Sequence, residues 1–423
     1  MAIYFGSSMT STTIGVLLNW GPIIGIVFFP IQTWILQQKN GLRRGIWFGM
    51  ILSLLGNIIR CVPILIKETG LNKSFTQSTT AYVFYHVGQI FIAAAGPLFM
   101  GSVTKLSVIW FAEDERNLST AIATTANGLG TTIGFLNPQW LSIPGIFLLS
   151  FILSSICVIC GLFYLPSGPK TPPSAAALVT FIQENKTREE NDVEARATPL
   201  LSLPSSSLSS SSSSSWFETI KVAGTNRSFV LLVVAAAVLS GVQSGWQGLL
   251  QLILAPTGIS QNQVAWIGFG NAFSGNIAAV SAGFLMDRCF KHRLKFGIVF
   301  GLIGCLLTTL WFAVQLPCFI WGEGLIPRTE FTLVLSLTLS GFFFGSTTPL
   351  FYELSAELIY PVKEGMSAGI LVLLLNISAA IIIVVQNYLN EGLMNLIVNG
   401  IILVVLGLVV CCVKELYTRP QNV

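Results

Sequence analysis

Charge is the scarcest ingredient of this chain of 423 residues: Asp, Glu, Lys and Arg make up 9% of it, against about 25% in a soluble domain. With 53% hydrophobic residues and a mean hydropathy of +0.75, too little polar surface remains to face water, which excludes a soluble globular fold. Histidine occurs twice. The eight cysteines supply no zinc-like set: Cys157 and Cys160 form one C-x-x-C inside an apolar run, without a second pair or a nearby histidine, and read as small buried helix residues. There is no phosphate-binding loop G-x-x-x-x-G-K-[ST], which argues against an ATP-driven pump, and no nucleophile, base and metal constellation that would mark an enzyme. No cofactor is implied. The opening MAIYFGSSMTST carries no charge and so lacks the basic region of a cleaved signal peptide.

What is there instead is length of apolar sequence. A membrane-spanning helix takes about 20 mostly apolar residues, and eleven such runs are legible, near 12–36, 46–66, 81–107, 119–141, 146–165, 228–254, 264–286, 296–316, 331–352, 365–388 and 395–412. The fold class is an all-α polytopic membrane protein. The net charge of +4 sits in short bursts between runs rather than in a nucleic-acid-binding patch. QQKNGLRRG and DRCFKHRLK are separated by an even number of spans, so both can face the cytosol.

Composition divides the chain into an N-terminal half (1–165, five predicted spans), a disordered cytosolic linker (166–227), a C-terminal half (228–412, six spans) and a cytosolic tail (413–423). The linker runs through PSGPKTPPS, ENKTREENDVEAR and LPSSSLSSSSSSS, too polar for a packed core. The two basic loops occupy corresponding positions in the halves, and two six-helix halves joined by a long cytosolic segment describe the major facilitator architecture. Asp287 and Arg288 open the second basic loop, where charge bias alone explains the cations but not the acid, and a state-dependent ion-pair lock is expected.

Polar side chains on one face of an apolar helix mark helix contacts or a pathway. Tyr82, Tyr85, His86 and Gln89 share a face of the third run, and Gln243, Trp246, Gln247 and Gln251 share one on the sixth. Thr120, Thr124, Asn127 and Thr131 line the fourth run, and Asn376 sits inside the tenth. A midplane pocket with aromatic walls and fixed amides is expected, with Gln243, Trp246, Gln247, Gln251, Tyr85, Gln89, Asn127 and Asn376 on the substrate. His86 is the one histidine inside a span, and its ordinary pKa of about 6.5 suits proton coupling. Glu353 and Glu357, one turn apart at the cytosolic end of the ninth run, are expected to gate. Arg60 and Lys105 are expected to snorkel from near span ends.

WFAEDERNLSTAIATTANGLG (110–130), LLNWGPIIGIVFFP (17–30), WIGFGNAFSGNIAA (266–279) and ELSAELIYPVKEGMSAG (353–369) together resemble solute carrier family 49, the feline leukaemia virus subgroup C receptor-related transporters of the major facilitator superfamily. YHVGQ (85–89), RCVPI (60–64) and GWQGLLQLILAP (245–256) are more similar to its disrupted in renal carcinoma 2 branch. The resemblance implies a transporter of a small neutral or cationic metabolite, proton-coupled and pyridoxine-like, with choline, ethanolamine or haem as alternatives. A non-transporting receptor or scaffold is the alternative of another class. It implies the lysosomal membrane, with the plasma membrane as the alternative: EARATPLL (194–201) is similar to an acidic dileucine address but has Arg196 where the acid belongs. Asn376 matches a ligand-facing amide of choline-carrying relatives, whereas Gly128 falls where they have glutamine. YFGSSMTSTTIGVLLNWGP aligns with the approach to the family's second helix, so the first is expected to be missing or supplied by a partner chain. The other partners implied are a small-molecule substrate, protons and the lipid bilayer.

Overall fold

The computed structural model describes residues 11–38, 40–69, 76, 78–111, 116–166, 168–169, 171, 173, 224–254, 257–289, 293–318, 322, 324–359, 364–385 and 391–415. Its helices are α1 Ser11–Gln37, α2 Gly41–Glu68, α3 Thr79–Trp110, α4 Arg116–Trp140 and α5 Ile143–Phe163 in the N-terminal half. The C-terminal half has α6 Arg227–Gly248, α7 Leu250–Leu254, α8 Gln261–Cys289, α9 Leu294–Val314, α10 Glu330–Leu358, α11 Glu364–Val385 and α12 Glu391–Cys412. Each expected apolar run is helical over most of its described length. Most of the expected linker lies outside the described residues.

Backbone groups in a bilayer must be satisfied within the chain, which is why such runs become helices. Their starts carry polar caps: Ser78 accepts from the Ala81 amide, Ser142 from Gly145 and Asn226 from Phe229, and Thr329 with Thr332 forms a capping box. The expected single span at 228–254 is divided. At Leu249 the amide is shared among the carbonyls of Gly245, Trp246 and Gln247, and the chain restarts as the one-turn α7.

Among the described residues eight helices are long and apolar enough to cross a membrane, and α11 adds a shorter apolar stretch, Gly369–Val385. The long helices outside that set are α4 and α8, and these two pack on each other across the boundary between the halves. Polar residues on the facing sides, such as Thr132 of α4 and Asn276 of α8, therefore have a protein neighbour instead of lipid. The second contact between halves is α1 against α11.

Within each half the order repeats. In the N-terminal half, α2 packs on α3 and α5, and α1 on α3; in the C-terminal half, α9 packs on α10 and α12, and α8 on α10. The C-terminal half adds α6, seated against α10, α11 and α12. Among the described residues nothing occupies the corresponding place beside α4 and α5.

Candidate functional site

The N-terminal half places His86 against α1. The Trp20 indole donates from Nε1 to His86 Nδ1 at 2.9 Å, with the rings edge to face at 6.4 Å. Nδ1 must be unprotonated to accept, so the neutral ring carries its hydrogen on Nε2. A second proton on Nδ1 would displace the indole.

Tyr85 lies on the same helix but turns elsewhere. Successive helix residues are about 100° apart, so while His86 meets α1, Tyr85 is buried beside Ala81 and packs its ring on Phe147 of α5 at 5.6 Å. Gln89 is half-buried one turn further along.

The same divergence splits the expected face of the sixth run. Trp246 is 1% exposed, packs edge to face on Phe312 of α9 and donates from Nε1 to Asn395 Oδ1 of α12 at 2.8 Å. It belongs to the interior of the C-terminal bundle, not to an open pocket wall. Gln247, one residue on, donates to Asn271 Oδ1 of α8 at 2.8 Å, and Asn271 donates to the Leu337 carbonyl of α10 at 2.6 Å. Gln243 is buried, and its Nε2 has no hydrogen-bond partner among the described residues. Gln251 is exposed on α7, beyond the helix break.

The two contacts between halves carry further expected residues. Asn376 sits at α1: a Cβ on Gly25 would lie 3.1 Å from its Oδ1, and its Nδ2 turns back to the Val372 carbonyl at 2.9 Å. On the other contact, Asn276 of α8 donates to Thr132 Oγ1 of α4 at 3.0 Å and occupies the space that a side chain at Gly128 would take. Gln139 extends this seam, donating to the Asn262 carbonyl at 3.1 Å. Asn127 and Thr124 are exposed on α4, as is Thr131, whose hydroxyl turns back to the Asn127 carbonyl. The Thr120 side chain lies outside the described residues.

The gating set is only partly placed. Glu357 is buried in the last turn of α10 and Glu353 is exposed one turn earlier. The side chains of Asp287 and Arg288 lie outside the described residues, although their backbone ends α8. Lys295, beyond the same loop, is tied down: its Nζ donates to the Val410 and Val413 carbonyls at 3.0 and 2.8 Å, which completes the end of α12.

Three expectations change. Cys157 and Cys160 are exposed on the outer side of α5 rather than buried, since their low polarity suits lipid. Lys105 does not snorkel to water; its Nζ donates to the Leu36 carbonyl at the end of α1 at 2.6 Å. Arg60 also turns inward, its guanidinium 4.3 Å from the centroid of the Phe147 ring.

Sequence reasoning passed over Trp20, Asn271, Asn276 and Asn395. The available signal was an indole or amide inside an apolar run, the criterion applied to Trp246 and Gln247. No described group of His, Cys, Asp and Glu could hold a metal ion.

With this arrangement in view, a profile of the Major Facilitator Superfamily matches residues 1–327. The chain belongs to the Major Facilitator Superfamily. Among curated members it is 28% identical to the solute carrier family 49 member 4 homolog of Xenopus laevis over 88% of this chain and 75% of the relative. It is 28% identical to the Xenopus tropicalis homolog over 96% and 83%, and 25% identical to the human choline/ethanolamine transporter FLVCR2 over 82% and 58%. These relatives agree with the resemblance carried by the motifs. In fold the chain is similar to the E. coli fucose:proton symporter FucP, with a TM-score of 0.51 at 14% identity, covering 94% of this chain and 97% of the other. A member of this transporter superfamily is a multi-pass membrane protein that takes a small-molecule substrate within the membrane, and it is not an enzyme.

Proposed function

We propose that this protein is a secondary-active carrier of a small, flat, neutral or weakly basic metabolite of pyridoxine type, moved by alternating access together with a proton. The observation that carries the reading is the Trp20–His86 hydrogen bond. It joins α3 to α1, and α1 is one of the helices that touch the opposite half. Protonating His86 at Nδ1 replaces an acceptor with a donor and turns the indole away, so proton binding acts on a helix at the boundary that alternating access must open and close.

The substrate class follows from what the eleven runs lack. None contains Asp or Glu, so a permanently charged cation would meet no carboxylate inside the membrane, whereas indole, phenol and amide groups suit a neutral ring. Gln243 and Asn376, on α6 and α11, are the amides for that ring, with Gln89, Asn127 and Gln251 as secondary contacts. Choline, ethanolamine and haem are the competing substrates, the first two supported by the names of the FLVCR-type relatives. Glu353, Glu357, Asp287 and Arg288 are assigned to gating. The lysosomal membrane fits a proton-driven carrier, and the plasma membrane is the alternative.

The open side of the N-terminal half supports one more partner, a membrane helix seated beside α4 and α5. Only 6% of the α5 span is buried, against 39% for α12, and on α4 a side chain at Gly130 or Gly134 would meet nothing within 4 Å.

The test is uptake of labelled pyridoxine and of choline into vesicles holding the purified chain, with and without an inward-acid pH gradient. Pyridoxine uptake stimulated by the gradient supports the proposal. Choline uptake indifferent to it moves the protein to the competing reading, and binding without uptake makes it a receptor.

A further inference from the structure

Lys105 and Lys295 each end on the last carbonyls of a neighbouring helix, α1 and α12 respectively. Arg60 has no such end to reach. Its guanidinium lies on the Phe147 ring, and no carboxylate among the described residues pairs with it. It borders a cavity of about 360 Å³ between α2, α3 and α5, within the range of small-ligand pockets.

The lining is graded. Arg60, Asn57, Ser150 and Ser154 give one part a polar character, while Met50 and Phe99 make another part apolar. The Asn57 amide and both serine hydroxyls donate to carbonyls of their own helices at 2.9–3.0 Å. Arg60 therefore supplies the cation of the site and the hydroxyl oxygens remain as acceptors.

Depth agrees with this gradient. α2 has 28 residues, about 42 Å at 1.5 Å per residue, and overhangs a hydrocarbon core of about 30 Å by about 6 Å at each end. Arg60 stands about eight residues before the helix ends at Glu68, so with α2 centred in the bilayer its Cα comes about 6 Å inside the hydrocarbon. The basic loops put that end of α2 on the extracytosolic side. Ser150, about seven residues into the 21-residue α5, comes about 10 Å inside by the same measure, on the midplane side of Arg60. The cavity also borders the bilayer: Leu153 is 53% exposed and Cys157 is exposed on the same helix, beside the exposed Ile152 and Ile156.

We propose that this cavity binds an anionic phospholipid from the extracytosolic leaflet, with its phosphate on Arg60 and an acyl chain between Met50 and Phe99. A phosphate meets Arg in the bidentate geometry that this half-buried guanidinium otherwise lacks. Only a lipid carries that charge at this depth with an apolar chain pointing toward the midplane.

Native mass spectrometry of the full chain in detergent, titrated with phosphatidylglycerol and phosphatidylcholine, tests the site. The parent should retain phosphatidylglycerol preferentially. Arg60→Gln should weaken that lipid by about fivefold, the effect of one basic residue on an anionic lipid, and leave phosphatidylcholine unchanged, while Arg60→Lys keeps most of the preference. Ser154→Phe fills the cavity with the cation intact and should reduce retention of both lipids, which keeps the test decisive if Arg60→Gln does not fold. The same ratio of the two lipids in parent and Arg60→Gln or, should that variant not fold, phosphatidylglycerol retention by Ser154→Phe equal to that of the parent, overturns the proposal. Displacement of phosphatidylglycerol by inorganic phosphate at equal concentration also overturns it, in favour of a soluble anion.

Discussion

The two halves repeat one helix order, yet among the described residues only the C-terminal half closes on itself. Its core is one continuous cluster from Phe229 of α6 to Val413 beyond α12, and α6 threads it, with 61% of its span buried. The N-terminal half has two small clusters, one around Ala81 and Tyr85 and one around Leu98. Gly241 of α6 lies so close to Ser378 and Ala379 of α11 that no Cβ fits, whereas Gly130 of α4 faces open space. Among the described residues α6 has no counterpart in the N-terminal half, and the contrast teaches that a central helix decides whether the polar and small residues around it are packed or exposed.

Truncating the core gives the largest expected effect. Trp246→Ala removes the indole from Phe312 and leaves Asn395 without its donor, and should cost about 3–5 kcal/mol. Thermal unfolding of the detergent-purified protein would read this as a large drop in midpoint. Tyr85→Phe, at the matching depth of the looser half, should change the midpoint little.

Next comes a pair of glycine substitutions. Gly241→Leu forces α6 away from α11 and should destabilise by about 1–3 kcal/mol, while Gly130→Leu should stay within about 0.5 kcal/mol. If Gly130→Leu proves as damaging as Gly241→Leu, a helix is already seated on α4 and the contrast between the halves fails. Co-expression with a candidate partner helix should make Gly130→Leu harmful only when that helix is bound.

The proton proposal is specific to the N-terminal half. His86→Ala should remove the dependence of uptake on a pH gradient while leaving exchange at equal pH largely intact, and Trp20→Phe should shift the pH profile without abolishing uptake. A profile unchanged in both variants assigns the pair to packing. In the C-terminal half Asn395→Ala should leave the pH profile unchanged and lower stability.

The smallest effect concerns a device common to both halves. Lys105→Gln and Lys295→Gln each remove a cation from helix-terminal carbonyls and should cost about 0.3–1 kcal/mol apiece, measured as small, similar shifts of the unfolding midpoint. A large effect from Lys295 alone would show that the tail beyond α12, where Glu415 accepts the Lys295 amide at 3.0 Å, depends on it.

The sequence by itself determined the class, the number and approximate limits of the apolar helices, and the place of His86 and Asn376 within them. Apolar length is a local property, and a bilayer forces each such run to satisfy its own backbone. What it did not determine is direction. Spacing put Gln243, Trp246, Gln247 and Gln251 on one broad face, but a step of about 100° is enough to send Trp246 to α12 and Gln247 to α8. Likewise Arg60 and Lys105 look alike as isolated cations in apolar runs, and only the approach of Phe147 to one and of the α1 terminus to the other gives them different chemistry. Which neighbour a polar side chain meets depends on helices distant in sequence, and that pairing exists only once the halves have packed.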